Sequence, residues 1–320
     1  MKLSVITVCR NAEATIERTL QGVLSQTYPD VEYIVVDGQS GDRTLDIIHQ
    51  YGDRLTKVIS EPDDGIYAAM NKGIRLASGD WLYFANADDY LFDERVFEDV
   101  VQFLSDHPTC DFVYGNHETR FPLGGSSLYE PAPPDRTLEE MVCLGNCFIQ
   151  PASFFKASLF ERLGGFNESY AIAADYDWFA RLLADPTLNV CHMPRTIVSY
   201  AQGGTSSNIR ALFKEVFEIQ NKLPLYQRED WLAKRMTQLQ QTFIDKYARL
   251  EQTHQLAIAR EQLIHRLEAR LAPLEARLEK LEAENGELRG EVEAMKTSKF
   301  WKLRTLWFQV KERFGLGEDG

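Results

Sequence analysis

The sequence is short of positive charge: 35 Lys and Arg stand against 48 Asp and Glu, a formal net charge of −13 over 320 residues. Nucleic acid demands a basic face on its partner, so the balance argues against general nucleic-acid binding. Long apolar runs are also missing. The opening MKLSVITVCR holds too few apolar residues for a signal peptide or a membrane span, and the chain is expected to begin directly with its first strand. Cysteine is scarce: Cys9, Cys110, Cys143, Cys147 and Cys191 are odd in number and lack metal-type spacing. They are expected to be reduced thiols in a cytoplasmic protein, behaving as small buried hydrophobes. No G-x-G-x-x-G follows the first apolar run and no G-x-x-x-x-G-K-[ST] occurs, which disfavours dinucleotide-binding dehydrogenases and P-loop enzymes.

What is present reads as an α/β chain, with 44% hydrophobic residues for a substantial core. Leu3 to Val8 is an apolar run, Ile16, Leu20, Val23 and Leu24 share a helical face, and Tyr33 to Val36 form a buried strand ending at Asp37. That order predicts a β-α-β unit with a parallel sheet, whose ligand loops lie at the strands' carboxyl ends. Lys57 to Ser60 is expected to be a third strand.

The segment from Glu61 to Tyr90 organises the rest. Asp64 is expected to cap a helix carrying Ile66, Ala69, Met70, Gly73, Ile74 and Ala77, and Ser78-Gly79 closes it before the strand Trp81 to Phe84. Asn86, Asp88 and Asp89 follow at once. Adjacent carboxylates at a strand end could hold a hard divalent cation that bridges a phosphorylated substrate, although Asn and Asp are also ordinary turn residues. Further on, Val96 to Leu104 predicts a helix and Asp111 to Gly115 a strand. Phe121 to Pro134, rich in Pro, Gly and Ser, reads as a connector. Asp175-Tyr176-Asp177-Trp178 opens another helix, where an acid is commonly a cap.

After about residue 245 the composition changes. Ile264, Leu271, Leu278, Asn285 and Val292 fall at heptad position a, with Leu267, Leu274, Leu281, Leu288 and Met295 at d. Arg270 with Glu275, Arg277 with Glu282, Glu284 with Arg289, and Glu291 with Lys296 are opposite charges at g and the following e, so a parallel homodimeric coiled coil is expected. The tail differs again. Phe300, Leu303, Trp307, Val310 and Phe314 make an apolar stripe among basic residues, which suits either peripheral contact with an anionic membrane or docking on protein. The expected divisions are 1–230, 231–298 and 299–320.

The ordered set of motifs resembles the family 2 glycosyltransferases of GT-A fold. It runs from Ser4-Val5-Ile6-Thr7-Val8 with Asn11, through Val35-Val36-Asp37-Gly38 and Ser40-Gly41-Asp42, to Asp64-Gly65-Ile66-Tyr67 with Ala69-Met70-Asn71-Lys72-Gly73. It continues through Gly79-Asp80, Asn86-Ala87-Asp88-Asp89, Gly164-Gly165-Phe166 and Asp175-Tyr176-Asp177 with Arg181.

The resemblance implies a GT-A-type, Rossmann-like, mostly parallel sheet flanked by helices, and makes Phe121 to Pro134, between its nucleotide-binding and acceptor-binding halves, either a mobile active-site loop or a plain connector. It also implies transfer of a sugar from a nucleoside-diphosphate sugar to a glycan or lipid-linked acceptor, by inverting single displacement. It gives Asp175 as general base, with Asp177 in reserve because Ala174-Asp175 stands where relatives carry Glu-Asp. Asp37, Asp64, Asn71 and Asp88 are implied to bind the nucleotide sugar, and Asp89 with Asp88 a divalent cation, Mg²⁺ or Mn²⁺; Asp89 is the preferred ligand and Asp88 faces sugar or ribose. The lack of a Q-x-x-R-W segment points to single addition. The alternatives are a sugar-1-phosphate nucleotidyltransferase, and a non-catalytic scaffold carrying a decayed transferase domain on its coil.

Overall fold

The apolar runs at the start of the chain become the parallel half of a sheet. β1 (Leu3–Cys9), β2 (Val31–Asp37), β3 (Lys57–Ser60) and β4 (Trp81–Phe84) lie in the order β3-β2-β1-β4. β1 and β4 are buried throughout, as strands covered on both faces must be. The computed structural model describes residues 1–131, 148–204 and 207–314; Cys143, Cys147, Pro133, Pro134 and Ser206 lie outside them.

The second half of the sheet is mixed. β5 (Tyr90–Leu91), β6 (Phe112–Arg120), β7 (Ser126–Tyr129), β8 (Ser153–Lys156) and β9 (Val190–Ala201) complete the order β3-β2-β1-β4-β8-β6-β9-β5, with β7 paired to β6. β8 is antiparallel to both β4 and β6, and β9 is parallel to β6. The parallel expectation holds for the first four strands and again for the β6-β9 pair, with antiparallel β8 between them. The Pro- and Gly-rich stretch after Phe121 is also corrected in part: Ser126–Tyr129 return as a strand against His117–Arg120.

Strand alternation divides the core into two layers. Leu3, Val5, Tyr33, Val35 and Phe154 face α1 (Ile16–Leu24), α2 (Thr44–His49) and α4 (Val96–Asp106). Ile6, Val8, Ile34, Leu82 and Phe155 face α3 (Ile66–Leu76), α5 (Ser158–Leu163), α6 (Ala174–Leu183) and α7 (Ile209–Lys222). The second layer is largely aromatic. Trp178 of α6, fully buried, has its ring 5.1 Å from those of Phe155 and Phe160, which fixes where α6 stands against the sheet.

At the amino edge of the sheet, Glu32 ties three segments together. Its carboxylate accepts from Ser4 Oγ, the Ser78 N–H and Oγ, and the Gly79 N–H, and pairs with Lys2 at 2.8 Å. Burial alone would raise its pKa, but the bonds from Lys2, Ser4 and Ser78 outweigh it and hold the group at about 2. Gly79 is required there: a Cβ would lie 2.6 Å from Ser4 Oγ and 2.8 Å from the Lys2 carbonyl.

The reduced-thiol expectation is corrected for one pair. Cys110 and Cys191, 81 residues apart, form a disulfide, because pairing of β6 with β9 brings Cys191 beside Val113. Cys9 is free and buried.

By its internal contacts the chain divides into Met1–Gln238 and Leu239–Gly320. Trp231, 3% exposed, belongs to the first unit. α8 (Glu229–Thr297) runs through Pro273, and α9 (Lys299–Arg313) starts after Ser298, whose hydroxyl accepts from the Trp301 N–H. Every residue from 251 to 300 is exposed, the heptad leucines included. Among the described residues no helix is long and apolar enough to cross a membrane.

Candidate active site

The chain winds from β1 outward to β2 and β3, then crosses to β4 on the other side of β1. In sheets of this order the loops at the carboxyl ends of β1 and β4 part at that switch point, the usual ligand site. On its β1 side, Asn11 takes a left-handed conformation at φ 51° and cross-links two loops. Its N–H donates to Ser40 Oγ and its Oδ1 accepts from the Gly41 N–H, each at 2.8 Å.

Asp37, at the end of β2, is fully buried. Its Oδ2 accepts from the Ser40 N–H at 3.0 Å and from Ser60 Oγ at 2.7 Å, while Ser40 Oγ donates to Oδ1. The carboxylate is thus engaged in ordering the loop floor. Asp64 is exposed, and the cap expected of it is absent: the N-cap of α3 is Gly65 at φ 125°, without a side-chain bond. Asp63 is the local acceptor instead, taking the Gly65 N–H at 3.1 Å, and its carboxylate lies close enough to Gly38 to leave no room for a Cβ. The spacing of the motif gave no sign of which neighbouring acid turned inward.

On the β4 side, Asn86, Asp88 and Asp89 divide by burial. Asp89 is 1% exposed; its Oδ1 accepts from the Ala201 N–H at 2.7 Å and its Oδ2 from Asn86 Nδ2 at 3.1 Å. Burial, reinforced by the neighbouring Asp88 charge, pushes it up to about 7. Asp88 is half-buried and also raised, chiefly by burial. Arg120 of β6, absent from the expected site, donates to the Asp88 carbonyl at 2.6 Å and stacks its guanidinium 4.3 Å from the Tyr90 ring centre. Asn86 Oδ1 is buried without a partner.

Asp175 is the second residue of α6. Its Oδ1 accepts from the Tyr176 N–H at 2.8 Å and lies 3.1 Å from Tyr67 Oη of α3. Burial raises its pKa, and the Tyr176 and Tyr67 bonds only partly oppose that. The Tyr67 hydroxyl also donates to the Ile172 carbonyl at 2.6 Å. Asn71, one turn along α3, uses its whole amide on the chain: Nδ2 donates to the Phe166 carbonyl and Glu168, and Oδ1 accepts from the Phe166 N–H. Asp177 pairs with Arg181, which in turn holds the Leu163 and Gly165 carbonyls. Asn71 and Asp177 therefore brace the 163–168 segment, away from the cleft.

Asp88 and Asp175, distant in sequence, line one cavity of about 510 Å³. Its remaining wall is largely apolar, with Phe148, Phe179, Leu212, Phe213 and Val216 prominent, and no lysine or arginine lines it among the described residues. Asp37, Asp64, Asn71 and Asp89 are not among its lining.

The model of the family described as Glycosyl transferase family 2 matches residues 4–164. A PGL/p-HBAD biosynthesis glycosyltransferase of Mycobacterium bovis is 34% identical over 212 residues, spanning 64% of this chain and 78% of the relative. An uncharacterized glycosyltransferase of Haemophilus influenzae is 28% identical over 189 residues, 58% of this chain and 63% of that one. Among solved structures, S. aureus TarS 1-349 in complex with UDP-GlcNAc superposes with a TM-score of 0.60 at 19% identity, covering 74% of this chain and 72% of that one. Against a longer TarS chain the match spans 43% of it, so the likeness concerns the fold of one part. Asp88 at the switch point, Asp175 lining the same cavity, and a family match that starts in β1 and runs past β8 agree: the chain is a glycosyltransferase and belongs to glycosyl transferase family 2.

Proposed function

We propose that the enzyme transfers a sugar from a nucleoside-diphosphate sugar to an acceptor hydroxyl by inverting single displacement, with Asp175 as general base. The observation that carries this is the shared cavity of Asp88 and Asp175. The acceptor oxygen attacks the anomeric carbon, the bond from that carbon to the diphosphate breaks, and the acceptor proton passes to Asp175. The raised proton affinity of Asp175 suits it to that task near neutral pH. Asp37 and the loop it orders, with Asp64 at the rim, form the nucleoside end; Asn71 acts there only through the segment it braces.

A divalent cation fits the β4 side. Asp88 offers a carboxylate to the cavity, and the unpartnered Asn86 Oδ1 is a second hard oxygen beside it. Among the described residues no group of three acids, histidines or cysteines forms a cage, which suits an ion shared with substrate phosphates. Such an ion, Mg²⁺ or Mn²⁺, would supply Lewis-acid stabilisation to the departing diphosphate. We assign Asp88 as the ligand and Asp89 as its buried support.

The apolar wall, which no lysine or arginine among the described residues lines, suits a lipid-linked or aryl-bearing glycan acceptor better than a polyanion. Calorimetry with UDP and GDP, with and without Mn²⁺, followed by nucleotide release from the matching sugar donor, tests the reading. One nucleotide should bind in a metal-dependent way, and release should require a lipid-linked or aryl glycoside acceptor. Failure of both nucleotides to bind folded protein would favour the scaffold alternative. Pyrophosphate release from a nucleoside triphosphate and a sugar phosphate would favour the nucleotidyltransferase.

The C-terminal unit is proposed to dimerise in parallel. Leu271, Leu274, Leu278 and Leu281 are each 52–63% exposed in the single chain, a seam that a second copy would cover. α9 leaves Phe300, Leu303, Trp307 and Phe314 exposed beside Lys299, Lys302 and Arg304, a composition suited to the surface of an anionic bilayer. In sedimentation the full chain should be a dimer, and Leu274→Glu with Leu281→Glu a monomer. The dimer should float with vesicles containing anionic lipid and not with neutral ones. A wild-type monomer, or flotation indifferent to lipid charge, would refute the corresponding half.

A further inference from the structure

Glu215, on α7, looks in sequence like one more solvated helix charge. Its carboxylate, on a half-buried residue, is instead taken up by hydrogen bonds to the backbone. Oε1 accepts from the Ala171 N–H, and Oε2 from the Ile172 and Ala173 N–H groups, all at 2.9 Å. Three consecutive N–H groups converging on one anion form a nest, and these three end where α6 begins, so the anion also meets the positive end of that helix. Hydrogen bonds to an ionised acceptor are about twice as strong as neutral ones. α7 holds the same segment at two more points: Gln220 Nε2 donates to Tyr176 Oη at 2.9 Å, and Lys222 Nζ to Tyr170 Oη at 2.7 Å.

We propose that Glu215 is the positioning residue of the general base, locking the 171–173 turn from which α6 carries Asp175 into the cleft. This rests on Asp175 being the base. The linkage is short. Glu215 fixes the N–H groups of Ala171, Ile172 and Ala173, the Ile172 carbonyl receives Tyr67 Oη, and Tyr67 Oη contacts Asp175. A turn free to relax by about an ångström would misplace the base, and such an error can cost about 10² in rate.

Glu215 also adds a second, electrostatic effect. The groups facing Asp175 are Tyr67 from α3, Glu215 from α7 and Asp88 across the cavity, while Asp177 on its own helix is neutralised by Arg181. Burial is the main cause of the raised Asp175 pKa, and the Glu215 charge acts in the same direction. Removing that charge lowers the pKa, so the base stays ionised, and the acid limb of kcat/KM persists, to lower pH.

The test uses the full chain with Glu215→Gln and Glu215→Ala. Glu215→Ala should lose roughly 10- to 100-fold in kcat, with donor affinity unchanged by calorimetry and amides 171–173 losing hydrogen-exchange protection. Glu215→Gln, which keeps one acceptor oxygen, should recover part of kcat and move the acid limb to lower pH. Deprotected amides with wild-type kcat and an unmoved acid limb would overturn the proposal, as would equal losses of donor affinity and turnover. If Glu215→Ala does not fold, Glu215→Gln decides: a fall in kcat at unchanged donor affinity with deprotected 171–173 amides supports the proposal, and wild-type kcat with those amides deprotected overturns it. Wild-type turnover by Asp175→Asn would instead defeat the base assignment itself, a result separable from every one of these.

Discussion

Asp175→Asn is expected to lower transfer by about 10²- to 10⁴-fold, the usual worth of a general base, while the donor nucleotide binds as before. Asn preserves the shape of the side chain and can still meet the Tyr176 N–H through its oxygen, but it has no lone pair basic enough to take a proton from a hydroxyl. The pH profile gives a second check. Because burial raises Asp175, the acid limb of wild-type kcat/KM should lie above the ordinary carboxylate range. Below that limb Asp175 is protonated and idle; above it the base is ready. Steady-state rates over pH, with calorimetric donor binding on the same samples, measure both. Weakened donor binding in the variant, or turnover close to wild type, would take the base role from Asp175.

Asp88→Ala should abolish the metal-dependent part of nucleotide binding, a fall of roughly 10²-fold or more, whereas Asp89→Asn should cost about tenfold, as the loss of an outer support of a metal site does. The reason is orientation. Asp88 lines the cavity, while Asp89 is closed off and engaged by the Ala201 N–H and Asn86. Titration of Mn²⁺ into each variant with UDP or GDP present makes the comparison. Retention of metal dependence in Asp88→Ala together with its loss in Asp89→Asn would restore the opposite order, the one preferred from sequence.

That preference marks where the sequence stopped being readable. Leu3–Cys9, Val31–Asp37 and Trp81–Phe84 are continuous apolar runs, and a strand buried on both faces writes itself that way. Ile66–Leu76 was equally plain from its helical period. β9 was not. Val190–Ala201 contains Pro194 and Arg195 and pairs with β6 through register shifts near Asn116, so no clean alternation survives. The site behaves similarly. The acids could be located to strand and helix ends, but whether Asp88 or Asp89, Asp63 or Asp64, turned inward depends on backbone geometry that adjacent residues do not encode. Arg120 and Glu215 were silent for another reason: each reaches the acids only after distant elements have packed, across 32 residues to Asp88 and 42 to Ala173.

Tyr67 and Asn71 stand four residues apart on α3, and both grip the strand-distant segment that leads into α6. Local opening therefore cannot be local here. To release the 164–175 loop the protein must break bonds to a helix whose Gly73 lies flat against Ile6 of the central strand. The 164–175 loop and the parallel half of the sheet are consequently parts of one cooperative unfolding unit, and the loop should exchange its buried amides on the time scale of that unit rather than of a surface connection. Much of the Tyr67-Ala68-Ala69-Met70-Asn71 motif thus serves as a joint between the halves of the domain, and its chemistry is spent on keeping them from opening separately.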